Sequence, residues 1–161
     1  MRPPDLLSEI ELEKANIRLA LSDIERVRKE LSASDSSPTI VAGAASYIAQ
    51  WYGGMEAILK RIIRNRNVAL PSGGEWHIEL LKMFHKNAGP PFGILDKNLF
   101  SQLSLMRKFR HVVMHGYGFK LDRAIVAAAL DEAPIEVTKN RSIQPLASLD
   151  GRLDENVDVS E

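Results

Sequence analysis

The chain has 161 residues, the size of one domain, and 45% of them are hydrophobic, enough for a real core. Lysine plus arginine and aspartate plus glutamate number 21 each, so global charge selects no partner. The absence of cysteine excludes a disulfide framework, a cysteine nucleophile and thiolate metal sites, and it fits a reducing cytosol.

The opening "MRPPDLLSEIELEK" has no apolar signal core, and no apolar run approaches the roughly 20 residues of a membrane helix. A soluble, cytoplasmic protein is expected. Ile10, Ile17, Ile24 and Leu31 recur every seven residues, with Ala20 and Val27 as a second row. This is one apolar stripe on a first helix from about Asp5 to Leu31. Pro3 and Pro4 precede it, where a helix has not begun. The break is "SASDSSP".

A second helix starts at Ser37-Pro38, with serine as cap and proline in the first turn. Its broad apolar face holds Ile40, Ala44, Tyr47, Ile48, Trp51, Met55, Ile58, Leu59 and Ile62. Basic residues in "KRIIRNRN" end it with the sign that the helix dipole favours. After the loop "PSGG", "EWHIELLKMFHK" is a shorter third helix with Trp76, Leu80, Leu81 and Phe84 inward. His77 and His85 read as structural or surface residues. "NAGPPFG" is a loop, and Asp96 caps a fourth helix whose core face is Leu99, Leu103, Met106, Phe109 and Val113. Gly116 and Gly118 end that helix, and "DRAIVAAALDEA" is a short fifth.

Almost nothing reads as strand, and no internal repeat occurs. The expected class is all-α: a bundle of four long helices plus a short fifth over residues 1–133. Past Pro134 the apolar periodicity stops. Residues 134–161 form an extended arm and an acidic flexible tail, with five acids and one arginine in the last twelve residues.

Charge is uneven along the chain. Residues 55–120 hold 11 lysines and arginines against four acids, while both flanking segments are acidic. A basic middle attracts a polyanion, although solvated helix faces account for the same pattern.

The end of the fourth helix reads "RKFRHVVMHGYGF". Arg110, His111, three apolar residues, His115, Gly116 and Tyr117 make an R-x4-H-x-Y pattern. It resembles the signature of the HEPN superfamily of helical-bundle ribonucleases. The added tyrosine resembles the HepT toxins of HepT/MntA toxin–antitoxin systems. "YGGMEAILKRI" is similar to the second helix of that family, with Glu56 at its recurrent acidic position. "GGEWHIELL" and "LSLMRKFRHVVMHGY" are similar to family segments as well, and the likeness covers about residues 5–133. His111 fills a position that is often asparagine in HepT, which leaves its role open.

The resemblance implies a metal-independent endoribonuclease toxin with no cofactor. Arg110 and His115 are then catalytic, and His111 and Glu56 support them. RNA is the substrate and a homodimer the working unit. The resemblance further implies a nucleotidyltransferase antitoxin that adenylylates Tyr117. The chemistry agrees with the residue types. RNA cleavage without a metal needs a base for the 2′-hydroxyl, a cation for the charge on phosphorus and an acid for the leaving oxygen. Histidine serves as acid or base, and the arginine fork matches phosphate. Five residues at about 100° each set Arg110 and His115 roughly 140° apart on an ideal helix. One chain therefore does not unite them unless the helix end distorts, whereas a two-fold dimer brings both pairs to one cleft.

Blander readings stand beside these. Arg110 is also a surface cation near a helix end, His115 a cap on a free carbonyl, Glu56 a surface acid, and Tyr117 a hydroxyl bonded at the helix end. His111 and His115 are four apart, a zinc spacing, but no H-E-x-x-H acid accompanies them, so no metal is expected. The rival functions are a non-catalytic HEPN domain that binds RNA or a partner protein, and a structural bundle.

Overall fold

The computed structural model describes residues 5–32, 37–89, 92–115 and 122–133. They form five packed α-helices: α1 (Leu6–Leu31), α2 (Pro38–Asn65), α3 (Trp76–Phe84), α4 (Lys97–His115) and α5 (Arg123–Glu132). Among the described residues there is no strand, only an isolated bridge between His85 and Leu95. The all-α bundle expected from the periodicity is the observed fold, with α3 short at 9 residues. The arm and acidic tail expected after residue 133 lie outside the described residues.

Side-chain caps start four of the helices. Asp5 accepts from the Ser8 amide at 2.8 Å, Ser37 from Ile40 at 3.3 Å, Asp96 from Leu99 at 2.8 Å and Asp122 from Ile125 at 2.9 Å. Each satisfies an amide that the helix leaves open. The Ser8 amide also holds the Asp5 carboxyl below the usual carboxylate range. Pro38 follows the Ser37 cap in the first turn, where its missing N–H costs nothing.

The main seam lies between α1 and α2. Ile10, Ile17, Ile24 and Leu31 are all buried there, as their seven-residue spacing predicts. The two helices run in opposite directions, since Arg61 pairs with Glu9 and Glu13 while Gly54 meets Ile17. A Cβ on Gly54 would lie 2.6 Å from Ile17 Cγ1, so only glycine permits this approach. Burying each such isoleucine stabilises the fold by about 1.5–3 kcal/mol.

The second helix is buried on more sides than its apolar face predicts. Tyr52 and Ile63 are fully enclosed, whereas Tyr47 is only partly buried. Phe92, from the stretch read as loop, and Leu95 just after it also enter the core. Backbone hydrogen bonds from Leu95 to Phe84 and from Lys86 to Leu95 fasten that stretch to the end of α3. Finally, α5 is clasped to α1. Arg123 donates twice to the Leu31 carbonyl, at 2.6 and 3.1 Å, and Arg28 donates to the Leu130 carbonyl at 3.2 Å. Each arginine satisfies a carbonyl that a helix end leaves open.

Candidate active site

Glu56 is the centre of the polar region. It sits on α2 in register with Ile48, Tyr52, Leu59 and Ile63, all turned inward. It is 4% exposed and is the one buried charged side chain among the described residues. A buried carboxylate needs partners, because desolvating it costs several kcal/mol. Two face it. His77 Nδ1, from the start of α3, lies 2.7 Å from Oε2. Arg110 Nη1, from α4, lies 4.0 Å from Oε1. An ionised carboxylate only accepts, so His77 Nδ1 carries the proton of that bond.

Glu56 is buried and faces Arg110. The alternative reading, a surface acid, does not fit that burial. His77, read from the sequence as structural or surface, is the donor that meets this carboxylate. Its signal was Glu56 itself, a carboxylate in an apolar register that demands a donor from somewhere.

Arg110 is about a quarter exposed, with its Nε lying 3.7 Å from where a Cβ on Gly53 would stand. The missing side chain at Gly53 lets the guanidinium lie close along α2 while part of it faces solvent. Arg107, one turn earlier, has a buried Nε without a hydrogen bond. The Tyr52 hydroxyl is likewise buried and unbonded. Burial above all, then the Glu56 carboxylate close by, hold that hydroxyl above the usual tyrosine range, against the opposing pull of Arg107 and Arg110. Tyr52 therefore stays a neutral phenol and does not serve as a base at ordinary pH.

His115 ends α4 on the exposed side, and His111 is exposed one turn before it. Their rings stack at 4.5 Å, and His115 Nδ1 lies 3.3 Å from the His111 carbonyl. A carbonyl only accepts, so Nδ1 is the donor and the neutral ring keeps its lone pair on Nε2. The cap expected as a bland role is thus compatible with an acid–base role for the other nitrogen. No third His, Asp or Glu among the described residues joins this pair as a metal-binding group. Arg110 faces Glu56 and His115 faces solvent, consistent with the roughly 140° separation on an ideal helix. Tyr117 lies outside the described residues.

A family model described as HepT-like protein matches residues 43–142. The chain belongs to the HepT-like family. The match spans Glu56, His77, Arg110, His115 and Tyr117 together. Membership in the HepT-like family implies a HEPN-type toxin ribonuclease and a toxin–antitoxin pairing. None of the curated proteins and none of the solved structures matches the chain. Among the described residues of this HepT-like chain, no helix is long and apolar enough to cross a membrane.

Proposed function

We propose that this HepT-like chain is a metal-independent endoribonuclease toxin that works as a homodimer. One observation carries the reading. In a HepT-like bundle, Arg110 is held half-open over a buried carboxylate, and His115 stands exposed on the same helix end. The helix geometry separates the two groups within one chain, so a complete site draws on two copies. An apolar groove beside the motif supports that pairing: Leu105, Val112 and Ile125, each at least 41% exposed, line it together. The second copy covers this groove and brings its own arginine and histidine to the shared cleft.

In the cleft, Arg110 and its counterpart bind the scissile phosphate and stabilise its developing charge. One His115 takes the proton of the 2′-hydroxyl through Nε2, and the other protonates the departing 5′-oxygen. The 2′-oxygen forms a bond to phosphorus as the P–O5′ bond breaks. The products are a 2′,3′-cyclic phosphate and a 5′-hydroxyl. The basic segment 55–120 supplies the electrostatic attraction for RNA.

Neutralisation follows from Tyr117. A partner nucleotidyltransferase moves AMP from ATP to the tyrosine oxygen, and pyrophosphate leaves. The added phosphodiester charge competes with RNA phosphate for Arg110, and the nucleoside occupies space beside His115.

Induced expression of wild type and His115→Ala, with growth and RNA integrity followed together, tests the reading. Wild type is expected to arrest growth and fragment RNA, and His115→Ala to do neither. Equal growth and intact RNA with both proteins would favour the non-catalytic HEPN domain that binds RNA or a partner. Tyr117→Phe is expected to keep toxicity and escape the partner transferase. Retained silencing of that variant, or no added AMP on Tyr117 by mass spectrometry, would reject the proposed neutralisation.

A further inference from the structure

We propose that His77 is a positioning residue that holds Glu56 off Arg110, so that the guanidinium stays available to phosphate. The inference rests on the ribonuclease reading and deepens it. A carboxylate facing an arginine ordinarily forms a two-pronged pair that occupies both of its oxygens and two guanidinium N–H groups. Here that pair does not form. Glu56 gives its Oε2 to His77 at 2.7 Å and keeps only Oε1 toward Arg110, at 4.0 Å, beyond hydrogen-bond range. The carboxylate thus neutralises part of the arginine's charge without consuming its donors.

The imidazole is fixed for this task. It stacks on Trp76 at 3.6 Å, and Lys60 Nζ lies 5.1 Å over the Trp76 ring. The stack on Trp76 and the bond to Glu56 leave His77 little freedom to turn. Of the remaining polar neighbours, the Tyr52 hydroxyl stands close to the Glu56 carboxylate but outside good hydrogen-bond geometry, and Arg107 Nε is buried without a bond. Without His77, Oε2 is a buried acceptor lacking a donor, and the nearest cation that can move to satisfy it is Arg110. The arginine would then be captured by Glu56 and withdrawn from the cleft.

The test compares His77→Leu, which has no donor, with His77→Asn, whose amide nitrogen stands about where Nδ1 stands now. Two readouts are taken on the full chain. The first is single-turnover cleavage of purified transfer RNA, or of a messenger transcript if wild type leaves transfer RNA intact. The second needs no RNA: the Arg110 Nε–H resonance, identified by its loss in Arg110→Ala. In His77→Leu the resonance is expected to move and cleavage to slow about tenfold to a hundredfold, the scale of a misplaced catalytic group. His77→Asn is expected to return both most of the way. Should His77→Leu fail to fold, His77→Phe, which keeps a ring to stack on Trp76 but has no donor, takes its place with the same expectations. An unmoved resonance with wild-type cleavage in His77→Leu, or equal loss in the leucine and asparagine variants, overturns the proposal. Full cleavage by Arg110→Ala overturns the catalytic role of Arg110 instead, and no cleavage by wild type overturns the ribonuclease reading; either leaves the resonance to decide the pairing.

Discussion

Two surfaces of α2 follow opposite rules. Toward α1 the helix presents Ile58 and a glycine fitted against Ile17, with its ion pairs kept at the partly exposed margin by Arg61. Toward α3 and α4 it presents Glu56 and Tyr52, a carboxylate and a hydroxyl, both enclosed. The unbonded polar atoms among the described residues fall on this second side or on α4: Tyr52 Oη, Arg107 Nε and Ser104 Oγ. The first surface is optimised for burial. The second carries polar groups that an optimal core would exclude, and such local departures mark sites kept for chemistry.

Substitutions on the two surfaces separate their roles. The largest expected effect is on the polar side. Arg110→Ala is expected to lower cleavage by about 10²–10³-fold, the scale of losing one preorganised charge stabiliser. Its unfolding midpoint stays near that of wild type. Loss of the fold in this variant would erase the distinction between the surfaces. Next comes the apolar side. Ile17→Ala is expected to cost about 2–5 kcal/mol in denaturant unfolding, and Gly54→Ala about 1–3 kcal/mol by overpacking against Ile17. Folded molecules of either variant cleave RNA at the wild-type rate, measured at low temperature. An Ile17→Ala protein that is fully stable yet inactive would reverse the comparison. The smallest effect is expected from Tyr52→Phe, which deletes an unbonded buried hydroxyl. Stability stays level or rises by up to about 1 kcal/mol. A loss above about 2 kcal/mol in calorimetry would mean that the hydroxyl is bonded after all.

The apolar surface was legible in the sequence and the polar one only partly. A seven-residue recurrence of isoleucines leaves few options but a buried stripe, and Ser37-Pro38 and Asp96 announce their helices by local chemistry. Arg110, His115 and Tyr117 were singled out by motif, since they lie within eight residues of one another. Glu56 and His77 lie 21 residues apart, on helices joined by a glycine-containing loop. Periodicity describes one helix at a time and gives no information on which side chain of the next helix will reach it. Phe92, and Leu95 just past its loop, were missed for a related reason. Their stretch is rich in glycine and proline and reads as loop, and it enters the core only because backbone bonds tie it to the end of α3.

The arginine clasp between α1 and α5 has a meaning in time as well as in space. The Leu31 carbonyl waits for Arg123, which follows it by 92 residues, and the Leu130 carbonyl answers Arg28 across 102. At about 5–20 residues per second of synthesis, roughly 5–20 s separate the two halves of the Leu31 contact on the ribosome. Until then the end of α1 is open to water. A chain released before residue 123 never closes it, so the clasp distinguishes a finished molecule from a truncated one at the end of α1, far along the sequence from Arg110 and His115.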